Sequence, residues 1–141
     1  MGSLSAKMNW VEGDRFEGIG AFGTKIIVDT PQKAGGTGQG FKPTELLLMS
    51  VAGCTGVDVI RILKKQRQEV SSLEIEVIGH HRDEYPKPFH TIEVKFTARG
   101  KNLDEKKLAR AIELSEEKYC MVSQTIAAES KVVTSFEILE E

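Results

Sequence analysis

Hydrophobic and polar positions alternate in several short runs along this chain, and one long run does not alternate at all. Residues 7–12 alternate and end at Gly13-Asp14, which predicts a strand and a turn. Phe16 to Ala21 and Thr24 to Asp29 continue as short strands punctuated by glycine, so the N-terminal part reads as an antiparallel meander. Pro31 to Lys42 is glycine-rich and reads as a flexible loop. The non-alternating run follows. Pro43-Thr44 and Glu45 are good first-turn residues and Lys64-Lys65 suit a C-terminal end, which predicts a helix from Pro43 to about Lys65. Between Leu46 and Leu63 it is apolar on nearly every side. Such a helix must be enclosed by the sheet and by something else, and in a small domain a second copy is a good candidate.

Beyond it the alternation returns. Leu73, Ile75 and Val77 interleave with Glu74 and Glu76; Ile92, Val94 and Phe96 interleave with Glu93, Lys95 and Thr97. Both read as half-buried strands, linked through Tyr85-Pro86-Lys87-Pro88. Asn102 to Tyr119 is amphipathic, with Leu108, Ile112 and Ser115 on one side and Asn102 as the expected N-cap. A short helix over about Met121 to Ser130 and a strand over Val132 to Leu139 close the chain. The order βββ-α-ββ-α-α-β predicts an α+β fold and not a doubly wound one.

Composition narrows the function. A chain of 141 residues is one domain, 1–141, by the length prior. At 40% hydrophobic and 28% charged residues it has the balance of a soluble globular protein. A net charge of −2 gives no electrostatic footprint for nucleic acid. No stretch reaches the about 18 uninterrupted apolar residues of a membrane span, and residues 1–7 lack the apolar segment of a signal peptide. The expectation is a cytoplasmic protein without a membrane or nucleic-acid partner. In that reducing compartment its two cysteines are expected free or redox-active.

Those cysteines are the main candidates for chemistry. Cys54 lies inside the apolar helix, with Ser50, Asp58 and Arg61 on the same face. Asp58 would raise its pKa and a cation would lower it. Taken alone, a cysteine on an apolar helix is most often a small buried hydrophobe. Cys120 falls at the junction of two helices, where backbone N–H groups of the second would favour a thiolate. A thiolate that attacks a peroxide becomes a sulfenic acid and needs a second thiol to resolve it, so the pair means more than either residue. Glu45 compensates the helix dipole or holds a cation, for which Arg15, in the turn after the first strand, is a candidate. The Gly35–Gly40 run lacks the lysine and hydroxyl residue of a phosphate loop. His80 and His81 are neighbours on a strand and face opposite sides, so no metal site is expected.

The segments Trp10-Val11-Glu12-Gly13, Pro43 to Cys54, Val57-Asp58-Val59 and Leu114 to Cys120 together resemble the OsmC/Ohr superfamily of bacterial hydroperoxide-handling proteins, in its YhfA-like branch. The resemblance covers nearly the whole chain. It implies antiparallel sheets around a long buried central helix and an intertwined homodimer with sites at the subunit interface. It also implies a thiol-dependent peroxidase for organic hydroperoxides, with Cys54 at the peroxidatic position and Cys120 at the resolving one. The reductant it implies is a small dithiol or a lipoyl-bearing protein, with no metal or organic cofactor. Three positions depart from the organic hydroperoxide resistance pattern. The glutamate expected directly after the helix-starting proline is Glu45, one residue late, which turns it by about a hundred degrees. Arg15 needs a two-residue shift to match the activating arginine, and Met121 replaces the proline after the second cysteine. A non-catalytic small-molecule-binding or redox-sensing protein is the alternative those departures favour.

Overall fold

The computed structural model describes residues 2–141 and divides into two compact units, one ending at Leu47 and one spanning Leu48–Glu141. The first unit is a three-stranded antiparallel meander of β1 (Met8–Glu12), β2 (Arg15–Ile19) and β3 (Lys25–Val28), in the order β1-β2-β3. The glycine-rich segment after β3 is more ordered than its composition predicts. It contains a 3-10 turn at Gln32–Ala34, and the N–H of Gly38 returns to the carbonyl of Thr30 at 3.0 Å. A side chain at Gly36 would run into Thr30 and Asp29, so the turn closes only around glycine.

α1 spans Pro43–Lys65, as the capping residues predict. Its Glu45 carboxylate accepts the N–H of Lys42 at 2.9 Å, the reach-back half of a capping box. By length and composition α1 is long and apolar enough to cross a membrane, a test that the core helix of a globular protein also passes.

The second unit holds a sheet of β4 (Glu69–His81), β5 (Phe89–Lys101) and β6 (Lys131–Glu140), with β5 central. β4 pairs antiparallel with β5, but β6 pairs parallel with it. A parallel neighbour needs a crossover, and α2 (Glu105–Leu114), a π turn (Ser115–Tyr119) and α3 (Met121–Ile126) supply it. β5 turns Ile92, Val94, Phe96 and Ala98 inward, where Val51, Val59 and Leu63 of α1 and Leu108, Ala111 and Ile112 of α2 join them in one core.

Two expectations need correction. The N-cap of α2 is Asp104, not Asn102: its side chain accepts the N–H of Lys106 at 2.8 Å and of Lys107 at 3.4 Å, while Asn102 sits at positive φ. The α-helix also ends at Leu114 instead of running to Tyr119, because the Cys120 N–H bonds five residues back to Ser115. Within one chain, α1 buries only the stripe Val51, Thr55, Val59 and Leu63; Met49 and Val57 each remain 49% exposed.

Candidate active site

Cys54 and Cys120 lie within hydrogen-bonding reach of each other in the second unit, both as free thiols. Two local features set this up. α1 carries Cys54 next to Thr55, whose side chain belongs to the buried stripe. The π turn then ends at Cys120, which caps α3: its sulfur accepts the N–H of Ser123 at 3.3 Å. The N–H of Val122 is directed at the Cys54 sulfur. The first turn of α3 therefore supplies one N–H donor to each sulfur.

The two thiols are not equivalent. Cys120 is fully buried, and burial pushes its pKa up; the bonds from Ser123, Thr55 and Cys54 outweigh that and bring it below the ordinary thiol value. Cys54 is only half-buried. Burial raises its pKa, opposed by the Val122 N–H, and the neighbouring Cys120 sulfur and Asp58 add to the rise. Cys54 is the reachable sulfur and Cys120 the one better prepared to carry charge.

Around Cys120 stands a polar shell that sequence reasoning missed. The Thr55 hydroxyl lies 3.5 Å from the Cys120 sulfur and 3.1 Å from Glu116 Oε1. The Ser123 hydroxyl donates to the same Glu116 oxygen at 3.3 Å. Ser115 donates to Asp58 at 2.8 Å. Burial raises the Glu116 pKa and the nearby Asp58 adds to it, while the two hydroxyl bonds act the other way. In the sequence Glu116 stands in the charged stretch Glu116-Glu117-Lys118, with nothing to set it apart from its neighbours. The available signal was Ser115, a hydroxyl on the apolar side of the helix, which marks a polar partner behind it.

Arg15 and Glu45 belong to the first unit. Arg15 faces Asp29, with Nε 3.9 Å from its carboxylate, and donates to Gln39 at 2.9 Å and Thr37 at 3.3 Å. Its ion pair is thus with Asp29, and Glu45 serves the α1 cap. Asp29 is buried and accepts the N–H groups of Thr30 and Thr37 as well as the Thr37 hydroxyl. The Thr37 hydroxyl bond holds its pKa below the ordinary carboxylate value against the cost of burial, with the two N–H bonds and Arg15 contributing. Among the described residues, no group of three His, Cys, Asp or Glu side chains could hold a metal ion.

Comparison with known proteins sets this geometry in a family. The family described as OsmC-like protein matches residues 36–135. The chain is 35% identical to Protein YhfA of Escherichia coli K12 over 137 residues, covering 96% of this chain and 98% of that one. A crystal structure of a hypothetical protein from Aquifex aeolicus VF5 superposes with a TM-score of 0.87 at 34% identity, covering 100% of this chain and 99% of that one. The organic hydroperoxide resistance protein OhrB of Bacillus subtilis shares the fold, with a TM-score of 0.65 at 20% identity over 95% of this chain and 98% of that one.

Proposed function

The chain belongs to the OsmC-like protein family, and on that footing we propose that it is a thiol-dependent peroxidase that reduces organic hydroperoxides through a Cys54/Cys120 thiol–disulfide cycle. The observation that carries this reading is the meeting of the two sulfurs, each with an N–H donor from α3. Cys54, the reachable sulfur, loses its proton to solvent and attacks the distal peroxide oxygen as a thiolate. The O–O bond breaks, the alcohol leaves with a proton, and Cys54 becomes a sulfenic acid. The Cys120 sulfur then displaces the hydroxyl as water and forms the disulfide. An external dithiol, small or lipoyl-borne, reduces it again.

The 141 residues act as one domain in a cytoplasmic homodimer. The exposed stripe of Met49 and Val57 on α1 supports the dimer, because an apolar helix face of this kind needs cover. Arg15 and Glu45 serve the site indirectly in this reading. Arg15, paired with Asp29, holds the loop after β3, and Glu45 fixes the start of the helix that carries Cys54.

The test is to treat the reduced protein with one equivalent of an organic hydroperoxide and map its thiols by mass spectrometry. A Cys54–Cys120 disulfide is expected. Cys54→Ser should abolish turnover, and Cys120→Ser should stop at the sulfenic acid after one turnover. Full rates in both variants, or two thiols that stay reduced, would overturn the mechanism. The second outcome would favour small-molecule binding, for which an open cavity of about 630 Å³ between α1 and β4 provides the space.

A further inference from the structure

The Thr55 hydroxyl has one proton and two neighbours that want it: Glu116 Oε1 at 3.1 Å and the Cys120 sulfur at 3.5 Å. It cannot donate to both at once. When Cys120 is a thiol, its S–H donates to Thr55 and Thr55 donates to the Glu116 carboxylate. When Cys120 is a thiolate, Thr55 donates to the sulfur and a protonated Glu116 donates to Thr55. The two arrangements differ only by a concerted shift of protons along one line.

We propose that Glu116 is the proton acceptor for Cys120, acting through the Thr55 hydroxyl when the disulfide closes. Glu116 is thereby a positioning residue, and the role rests on the reading that Cys54 and Cys120 form a disulfide. Thr55 and Cys120 are fully buried, so bulk water cannot take the proton directly, whereas Glu116 is partly exposed and can pass it on. Ser123 holds both ends of the line, with its N–H on the Cys120 sulfur and its hydroxyl on Glu116. The charged group acting on Glu116 is Asp58 of α1, an anion; the raised Glu116 pKa brings its basicity closer to that of a thiolate.

Balanced, the step forms the S–S bond and breaks the Cys54 S–O bond. The Cys120 sulfur is oxidised and the Cys54 sulfenic sulfur reduced. The Cys120 proton goes to Glu116, the leaving hydroxide takes a proton from solvent to become water, and the partly exposed Glu116 returns its proton to solvent, so no proton is gained or lost.

The closing experiment needs no peroxide. The reduced full-length protein is mixed with one equivalent of an aromatic disulfide. Cys54 forms a mixed disulfide, and Cys120 then closes the ring and releases a second aromatic thiolate, whose colour gives the rate. Glu116→Gln is expected to slow that second phase by about 100-fold, the lower range for general base catalysis, and to remove the low-pH limb of its rate profile. Thr55→Val should do the same, while Thr55→Ser and Glu116→Asp should restore most of the rate. A merely electrostatic neighbour predicts the opposite sign, because removing an anion beside Cys120 makes its thiolate easier to form.

Closure as fast or faster in Glu116→Gln overturns the proposal. If that variant does not fold, equal rates in Thr55→Val and Thr55→Ser overturn it instead, and a wild-type ring that never closes overturns it outright. Glu116-dependent closure in a protein inert to hydroperoxide sinks the peroxidase reading and leaves the proton route standing. Hydroperoxide turnover with Glu116-independent closure does the reverse.

Discussion

Asp29 and Glu116 both accept hydroxyl hydrogen bonds, yet their pKa values move in opposite directions. Asp29, in the meander unit, takes the Thr37 hydroxyl, two backbone N–H groups and the facing Arg15, and its pKa falls. Glu116, in the crossover of the second unit, takes the Thr55 and Ser123 hydroxyls and faces Asp58, and its pKa rises. Hydroxyl donors alone do not decide the matter. At Asp29 the Thr37 hydroxyl bond, helped by two backbone N–H groups and a cation, outweighs burial, whereas at Glu116 burial and the nearby Asp58 outweigh the hydroxyl bonds. The first carboxylate is suited to holding a loop in place and the second to moving a proton.

On the fold itself, the largest effect should come from removing the fixed charge at Asp29. Asp29→Asn keeps the shape but turns a donor toward one of the two N–H groups, Thr30 or Thr37, and strips Arg15 of its counterion. Amide exchange at Thr37 and Gly38 should accelerate by about tenfold or more, the scale of one charge-assisted hydrogen bond. Unchanged exchange would show that the loop is held by its backbone alone, and the contrast with Glu116 would lose its meaning.

A smaller effect appears in how stability follows pH. Asp29 has a folded pKa below its ordinary 3.8, so its contribution is present above 3.8 and lost as pH falls through the folded value. Glu116 has a folded pKa above its ordinary 4.5; its contribution is complete below 4.5 and is lost as pH rises through the folded value. Urea midpoints across acid and neutral pH should therefore show a falling limb above 4.5 that disappears in Glu116→Gln. Asp58→Asn should weaken the same limb to a lesser degree, since its charge is a secondary cause of the shift. A limb that survives in Glu116→Gln would assign the titration to another group.

Much of the fold was legible along the chain. Strict alternation located β4 and β5, and proline, threonine and lysines marked both ends of α1. The errors fell where local signals competed. Asn102 and Asp104 are both good caps, and only the packing of α2 selects between them. The π turn was unreadable because helical periodicity assumes a constant turn, and one i→i−5 bond breaks the phase between Leu114 and Cys120.

Within the candidate site the cysteines stood out by residue type, while their partners did not. Thr55 is the residue after Cys54 and passed as part of an apolar helix, and Asp29 passed as a strand end.

The sequence by itself determined the order of elements, the α+β class, the long apolar helix and the two thiols, because these depend on periodicity, capping chemistry and composition within a few residues of one another. Only the tertiary structure decided that Cys54 meets Cys120, that Thr55 stands between Cys120 and Glu116, and that Asp29 holds Arg15. Those contacts join residues far apart in the chain, and the pKa of each group follows from the burial and hydrogen bonds that such contacts create.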